Sequence, residues 1–288
     1  MHEVFVILYL SRAEEAHRSM TATATRARDK VFRLLPENNR IERIWLLAKT
    51  DFRKRYYGSF LGLIWAFINP LSQLIIYYYV FTIVFKIETE HYALFLFLGL
   101  VFWMFFNEAT TKSIQLVKQK RYLLENIQIN RLDVYYAQIL STGLGFLFNF
   151  SAYFLASLLF TITINRQVVF LPFVVLNLVL FILATQIILS VIHVFIRDIK
   201  HLWAIVSLVL FWLSGIVFHI DPNATWKTMI MGYLTPLFGI FDNARAILIY
   251  GETIDWNMFM YDSAYALVLL GIGLFLMRRY FGKALEML

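Results

Sequence analysis

The two side chains best spaced for covalent chemistry are His193 and Asp198. A histidine can take the proton of a hydroxyl group, and an aspartate five residues further on can orient its ring. One hypothesis is therefore a membrane enzyme that transfers an acyl group to a hydroxyl. Against it, the pair falls in a tight turn between two apolar segments, without any other polar cluster. The turn favours a structural role, in which Arg197 and Asp198 form a local ion pair and a helix cap.

A second chemically distinctive group is the basic cluster in the stretch DFRKRYYGSFLGLIWAFINP, residues 51–70. Arg53, Lys54 and Arg55 stand directly before a long apolar run. Cations in this position hold one end of a membrane helix at the lipid surface, and Tyr56 and Tyr57 are typical of the aromatic belt at the same depth.

Several kinds of chemistry are missing from the sequence. There is no cysteine, which excludes disulfides, thiolate catalysis and cysteine-ligated metal. There is no G-x-x-x-x-G-K-[ST] motif, so the chain has no P-loop to hold the phosphates of ATP. Glu108 lies near the end of one apolar segment, and no other carboxylate is expected deep within a span. This scarcity disfavours a carrier driven by protons or sodium ions.

The composition predicts which elements must position these groups. The 288-residue chain is 60% hydrophobic and only 16% charged, whereas a soluble domain is closer to half apolar and a quarter charged. Apolar runs of membrane length recur along the chain. Because a helix satisfies its own backbone hydrogen bonds inside lipid, the sequence predicts an all-α polytopic membrane protein.

Six apolar segments predict six transmembrane helices, at about residues 60–85, 92–111, 134–162, 168–196, 201–219 and 257–280. A seventh stretch, 224–250, is interrupted by glycine, proline and charged residues, which favours a re-entrant hairpin between helices 5 and 6. With six spans, 22 of the 26 Lys and Arg residues fall on one side. The positive-inside rule then places both termini in the cytoplasm and the hairpin outside.

Three further segments complete the organisation. Residues 40–55 combine apolar residues at helical spacing with basic residues on the other faces, which is typical of an amphipathic helix in the cytoplasmic interface. Residues 112–131 predict a polar helical segment that either docks a partner protein or is a solvated loop helix. Residues 1–39 lack periodicity and predict a mobile, basic cytoplasmic tail, which leaves residues 40–288 as the membrane domain.

The basic cluster and the helix after it resemble the opening signature of permease subunits of ABC-type polysaccharide exporters, which export O-antigen, capsule and teichoic acid. That signature is a basic interfacial helix followed by R-x-R-Y, a small residue, L-G-x-x-W-A and a proline. Here it reads Arg53-Lys54-Arg55-Tyr56, Ser59, Leu61-Gly62, Trp65-Ala66 and Pro70. The stretch FIRDIKHLW, residues 195–203, resembles the F-x-R-D-I turn of the family. Pro236 and Arg245 match its outer re-entrant segment, with threonine in place of asparagine before the proline.

The resemblance implies a permease of the bacterial inner membrane that moves lipid-linked polysaccharide, such as O-antigen, from the cytoplasm to the periplasm. Six helices are few to surround a hydrated glycan, so we expect a homodimer with the conduit on its two-fold axis. Two copies of a separate nucleotide-binding subunit would carry ATP and Mg. This chain is expected to bind no cofactor, metal or nucleic acid. Teichoic acid or another amphiphile is the alternative cargo.

The resemblance also implies roles for particular side chains. The substrate entry would consist of Arg53, Arg55, Tyr56, Tyr57 and Trp65, with the two arginines meeting the pyrophosphate of a polyprenyl-linked substrate. The contact with the ATPase subunit would consist of Lys118, Lys120, Arg121, Tyr122 and Glu125. The outer gate would include Pro236 and Arg245.

The remaining expectations concern the interior of the bundle. Sugars stack on aromatic rings, so aromatic side chains are candidates for the lining of a glycan conduit, although most membrane aromatics face lipid or pack between helices. The candidates are Tyr77, Tyr78, Tyr79 and Trp212. The side chains expected to form hydrogen bonds between helices are Asn149, Asn177 and Gln186.

Overall fold

The computed structural model describes residues 39–56, 62, 64–86, 91–126, 129–160, 165–218, 226 and 232–287. These residues fall into two compact units, with 39–46 in the first and 47–287 in the second. The predicted tail, apart from Asn39, lies outside the described residues, and so does Tyr57. The side chain of Tyr56 is also outside them.

The predicted amphipathic helix is present as α1, Arg40–Tyr56. Asn39 precedes it, and its Oδ1 accepts a hydrogen bond of 3.3 Å from the backbone N–H of Glu42. The last turn holds Arg53, Lys54 and Arg55, where cations are favoured by the partial negative charge of a helix C-terminus. The basic cluster therefore also stabilises the end of its own helix.

Five helices among the described residues are long and apolar enough to cross a membrane: Ile64–Val84, Tyr92–Ser113, Arg131–Leu159, Arg166–Phe195 and Trp256–Glu286. Their α-helical parts are α2 (Ile64–Tyr79), α3 (Tyr92–Ser113), α6 (Arg131–Leu159), α7 (Leu171–Phe195) and α10 (Trp256–Glu286). The shorter helices are α4 (Leu116–Gln119), α5 (Arg121–Asn126), α8 (Ile199–Leu213) and α9 (Pro236–Arg245). The prediction of an all-α polytopic membrane protein is confirmed.

The predicted fifth span corresponds to α8, which is apolar but has only 15 residues. A helix of that length rises about 23 Å, less than the roughly 30 Å of a hydrocarbon core. Residues 219–225, which follow the described turn, lie outside the described part. The sixth crossing and the re-entrant hairpin around α9 therefore stay predictions.

The helix α3 lies at the centre of the second unit, because it packs against α2, α6, α7, α8 and α9. Most of its residues are buried, whereas α2 buries only Ala66 and Pro70. Aromatic rings fill the space around it, as in the stacked pair Phe106 and Phe181, whose centroids are 5.2 Å apart. Groups near either end of α3 are consequently positioned by several neighbours at once.

Polar side chains join the buried helices. The Gln186 amide donates a hydrogen bond of 3.0 Å to the carbonyl of Ala109, and the Asn177 amide reaches the carbonyl of Phe259 at 3.5 Å. These two predicted hydrogen bonds are confirmed. The prediction for Asn149 is wrong, because its Oδ1 is buried without any hydrogen-bond partner.

Candidate functional site

The basic cluster of α1 lies against the last turns of α3. The guanidinium of Arg55 pairs with the carboxylate of Glu108, and the Lys112 ammonium lies 2.5 Å from the same carboxylate. The side chains of Arg55 and Glu108 are 28% and 24% exposed, so solvent and salt only partly screen their attraction. Glu108 lies near the end of α3, as predicted, and holds the end of α1 against the bundle.

A second ion pair joins α1 to the loop helices. The Lys120 ammonium lies 2.8 Å from each carboxylate oxygen of Asp51. Both side chains are largely buried, with 15% and 20% exposure. Lys120 was predicted to contact an ATPase subunit, but in this chain its charge is paired with α1. We refer to the end of α3 near these two ion pairs as the Arg55 end.

Two cavities open at the Arg55 end. The first, here called the amide cavity, has a volume of about 340 Å³ and lies between α2, α3 and α6; its polar lining is Arg55, Trp65, Asn69, Glu108, Thr142 and Asn149. The second, here called the basic cavity, has a volume of about 500 Å³; its charged lining is Asp51, Lys54, Arg55, Lys112, Lys120 and Lys200. Arg55 lines both cavities.

The two cavities differ in charge. The amide cavity has one cation and one carboxylate, which are paired with each other. The basic cavity has five cations and one carboxylate. The basic cavity therefore suits an anionic group, whereas the amide cavity suits an uncharged polar one.

The predicted entry residues are brought only partly together. Arg55 and Trp65 line the amide cavity, and Trp65 is half-exposed. Arg53 is exposed on α1 and lines neither cavity. Lys112 and Lys200 were not assigned roles from the sequence, and Lys54 was assigned only to the basic cluster at the lipid surface. Only the fold shows that these lysines, which are far apart along the chain, converge.

The segment predicted to dock an ATPase subunit is divided into separate helices. The helix α3 continues to Ser113, and α4 and α5 follow as short helices. They are separated because Gln115 and Lys120 leave helical geometry, with φ, ψ of −96°, 7° and −103°, 13°. On α5, Arg121 Nε lies 2.6 Å from Glu125 Oε1, and Tyr122 is 45% exposed.

The four candidate conduit aromatics have two kinds of surroundings. Tyr77 packs against Phe211 with ring centroids 5.7 Å apart, and Tyr78 stacks on Tyr92 at 6.1 Å. Tyr78, Tyr79 and Trp212 nevertheless expose 40%, 65% and 43% of their surface in the single chain. Of the four, these three therefore remain best placed to face a conduit or lipid, whereas Tyr77 is only partly exposed.

The turn before α8 is built from backbone rather than from side chains. The Asp198 carbonyl accepts hydrogen bonds from the N–H groups of His201 and Leu202, at 2.9 and 3.1 Å. The Asp198 side chain makes no capping hydrogen bond, so the predicted side-chain cap is wrong. Nδ1 of His193 is buried without a partner, and no hydrogen bond joins His193 to Asp198 among the described residues. The pair required for acyl transfer is not assembled.

The opposite end of α3 is held by one buried arginine, Arg245 of α9, which is only 2% exposed. Its guanidinium donates hydrogen bonds to the carbonyls of Phe95 (3.3 Å), Gly215 (2.8 Å) and Ile216 (3.0 Å). It also lies over the Phe95 ring, 3.5 Å from the centroid. We refer to this end as the Arg245 end.

The charge of Arg245 persists despite its burial. Burial lowers the pKa of the guanidinium to about 10, so the group is still cationic at neutral pH. Its position requires a small neighbour, because a Cβ added at Gly99 would lie 2.6 Å from Nη2. Arg245 thus connects α9, the start of α3 and the turn after α8.

A carboxyl group that the sequence analysis missed also lies against α9. Asp262, near the start of α10, is 1% exposed, and its Oδ2 has no hydrogen-bond partner. A Cβ added at Gly239 would overlap with this carboxyl group. The expectation that no carboxylate besides Glu108 would be buried in a span therefore needs correction. Asp262 is the seventh residue of its helix, where the sequence is equally compatible with a solvent-exposed position.

Comparisons with known proteins identify the family of the chain. The sequence model of the ABC-2 type transporter family matches residues 42–249. The O-antigen export system permease protein RfbA of Myxococcus xanthus is 28% identical over 231 residues, which cover 78% of this chain and 86% of the relative. Two proteins of the same name from Klebsiella pneumoniae are each 23% identical, over 237 and 239 residues, and cover 82% of this chain and 91% of their own length.

The family match includes both ends of α3. It begins within α1, before Asp51 and Arg55, and it ends after Arg245. It covers well over half of the chain, and the described helices have the length and hydropathy of membrane spans. This multi-pass membrane protein belongs to the ABC-2 type transporter family.

Proposed function

We propose that this chain is the membrane subunit of an ATP-driven exporter that moves lipid-linked polysaccharide of the O-antigen kind across the bacterial inner membrane, from the cytoplasm to the periplasm. The observation that carries the proposal is the basic cavity at the Arg55 end. The names of the three relatives, all O-antigen export permeases, support the same cargo class.

The basic cavity has the properties needed to hold a diphosphate. Five cations and the carboxylate of Asp51 line a volume of about 500 Å³, and Glu108 pairs with two of the cations, Arg55 and Lys112. The five cations still outnumber the two carboxylates, so the cavity carries a net positive charge. Phosphate oxygens form strong charge-assisted hydrogen bonds with Arg and Lys side chains. A polyprenyl diphosphate presents its charges at the lipid surface, next to the end of a membrane helix. This cavity is therefore the proposed entry for the charged part of the substrate, and Arg53 on the exposed face of α1 would steer it there.

Energy would come from a separate subunit, because the sequence lacks a P-loop. Two copies of this chain would enclose the conduit, with two copies of the ATPase on the cytoplasmic side. The proposed docking surface is the exposed part of α4 and α5, with Lys118, Arg121, Tyr122 and Glu125. A movement there would reach α1 through the Asp51–Lys120 pair. On this arrangement the Arg55 end is cytoplasmic, and the Arg245 end is the outer gate.

The entry role can be tested in cells. In a strain that depends on this chain for export, we expect R53E/R55E to abolish surface polysaccharide while the protein still inserts into the membrane. The matched control is R278E/R279E, a double charge reversal on the last helix, far along the chain from either cavity lining. Export should persist in the control. Normal surface polysaccharide in R53E/R55E would refute the entry role.

The cargo and the motor are tested separately. Mass spectrometry of lipids that accumulate in the blocked strain should show a glycan joined to a polyprenyl diphosphate. Accumulation of a polyol-phosphate polymer would instead favour the teichoic-acid alternative. The purified chain should carry a separate ATPase subunit with it and hydrolyse ATP only in that complex. Loss of all activity in H193A, with an intact complex, would favour the acyltransferase hypothesis.

A further inference from the structure

The amide cavity is built from residues of three helices. The helices α3 and α6 each contribute residues at positions i, i+3, i+4 and i+7, which form one face. On α3 these are Val101, Met104, Phe105 and Glu108, and on α6 they are Thr142, Gly145, Phe146 and Asn149. The first turns of α2 contribute Trp65, Ala66 and Asn69, and Gly62 lies before the helix begins, with a φ of 42°. Small residues on α2 and α6 leave the space open.

The polar groups of this cavity lie at its two ends. The helices α2 and α6 begin at the Arg55 end, whereas α3 ends there. Asn69 and Asn149 therefore lie farther from Arg55 than Trp65 and Thr142 do. Seven residues of helix separate the first and last positions of the faces on α3 and α6, which corresponds to a depth of about 10 Å. The cavity thus has an ion pair at one end and two amides at the other.

Both amides are available to a ligand. Asn149 Oδ1 is buried and has no hydrogen-bond partner, and Asn69 has none among the described residues. A buried acceptor without a partner is unfavourable, and a polar ligand would satisfy it. Trp65 is 52% exposed and provides a flat apolar surface beside these amides.

This combination fits one ring of a sugar better than the other groups available in a membrane. A pyranose has an apolar C–H face, which can pack on an indole ring, and hydroxyl groups, which pair with amides and a carboxylate. An acyl chain would leave the amides of Asn69 and Asn149 without partners. A free anion would gain little, because Glu108 already balances the charge of Arg55.

Arg55 links this cavity to the basic cavity, because it lines both. A sugar that carries a phosphate on its anomeric carbon could place its ring in the amide cavity and its phosphate in the basic cavity. We propose that the amide cavity binds the sugar ring attached to the diphosphate, with Trp65 against its C–H face and with Asn69, Asn149 and Glu108 on its hydroxyl groups. This inference rests on the proposed function and names the part of the substrate that each cavity recognises.

The test measures binding directly, without export or ATP hydrolysis. The full chain, purified in a zwitterionic detergent without a sugar headgroup, is titrated with three classes of probe. These are methyl pyranosides (glucoside, galactoside, mannoside and N-acetylglucosaminide), the matching sugar 1-phosphates, and inorganic phosphate. We expect at least one sugar 1-phosphate to bind about tenfold or more tightly than its methyl pyranoside and than phosphate alone.

Variants separate the two cavities. W65L and N69L change exposed side chains and should each weaken binding of the sugar 1-phosphate about tenfold, while phosphate binding stays unchanged. The matched control is W256L, because Trp256 is also half-exposed but lines neither cavity. It should bind every probe as the unmodified chain does. Thermal unfolding of each variant shows that the fold is kept.

Three outcomes would overturn the proposal. The first is that no probe with a sugar ring binds more tightly than phosphate. The second is that W65L and N69L bind the sugar 1-phosphate as well as W256L does. The third is that alkyl chains without sugar compete for the site, which would make it a lipid cavity. If phosphate still binds in these cases, the basic cavity and the proposed export function stand without the sugar site.

Discussion

The two arginines near opposite ends of α3 have contrasting surroundings. Arg55 is partly exposed, pairs with the carboxylate of Glu108 and lines two cavities. Arg245 is buried and is held by three backbone carbonyls and one aromatic ring. Solvent can replace the partners of Arg55, but nothing can replace those of Arg245 without unfolding the local structure. An arginine side chain is therefore available for ligand binding at one end of α3, and an arginine side chain supports the structure at the other end.

The contrast also concerns what the charges can do during transport. At the Arg55 end, cations and carboxylates are joined by ion pairs that a phosphate can compete with. At the Arg245 end, the guanidinium connects three elements that are far apart along the chain. A gate at this end would therefore move α9, the start of α3 and the turn after α8 together, with Arg245 as their shared contact.

The largest loss of stability should follow from R245M. The substitution removes the donors for the buried carbonyls of Gly215 and Ile216, and it removes a further hydrogen bond to the carbonyl of Phe95 within α3. We expect the free energy of unfolding to fall by about 3–5 kcal/mol, measured by denaturation in detergent. R245K should recover little, because one ammonium group cannot match a guanidinium fork. The control R278M, at an exposed position, should change stability by less than about 0.5 kcal/mol.

A smaller loss should follow from G99A. The added Cβ would lie 2.6 Å from Nη2 of Arg245 and 3.3 Å from Ile216. Overpacking of this kind costs about 1–3 kcal/mol. The control is G271A on α10, where nothing lies within 4 Å of an added Cβ. That control should be neutral or slightly stabilising, because alanine favours a helix over glycine. Equal thermal stability of the two variants would contradict the tight contact between α3 and Arg245.

At the Arg55 end, E108Q should change phosphate binding more than it changes the stability of the fold. The change removes the partner of Arg55 and Lys112, and partly exposed pairs of this kind contribute about 1 kcal/mol or less. The amide cavity gains one unit of positive charge, so we expect inorganic phosphate to bind more tightly at low salt. Isothermal titration measures this. Weaker phosphate binding, or a stability loss as large as that of R245M, would remove the contrast between the two ends.

The smallest effect should come from the two ion pairs near the loop helices. A double-mutant cycle with D51N and K120M should give a coupling energy of about 1 kcal/mol, because both partners are largely buried. The comparison cycle uses R121A and E125A, whose pair is about 40% exposed and should contribute about 0.3–0.5 kcal/mol. If the coupling energy of Arg121 and Glu125 exceeds that of Asp51 and Lys120, then Lys120 does not hold α1. R121A should instead weaken the proposed ATPase contact, measured by copurification.

Much of the architecture could be predicted because it depends on local periodicity. The apolar runs predicted the central helix as residues 92–111, and the structure extends α3 only to Ser113. The amphipathic spacing of residues 40–55 predicted α1, Arg40–Tyr56. The motif around Arg55 and Trp65 indicated the family before any geometry was available. In each case the information lies within a few turns of one helix.

The pairings of charged side chains could not be predicted, because they join positions that are distant in sequence. Arg55 and Glu108 are 53 residues apart, Asp51 and Lys120 are 69 apart, and Arg245 and Phe95 are 150 apart. The family resemblance implied that Lys120 lies on a partner surface, and the sequence analysis overlooked Asp262, whereas burial and contacts give both residues internal positions. The sequence by itself determined which segments are helices and which faces are apolar, because backbone hydrogen bonding and hydropathy act locally. Only the packing of these helices decided which cations are held inside and where cavities remain, since both depend on side chains that meet across the bundle.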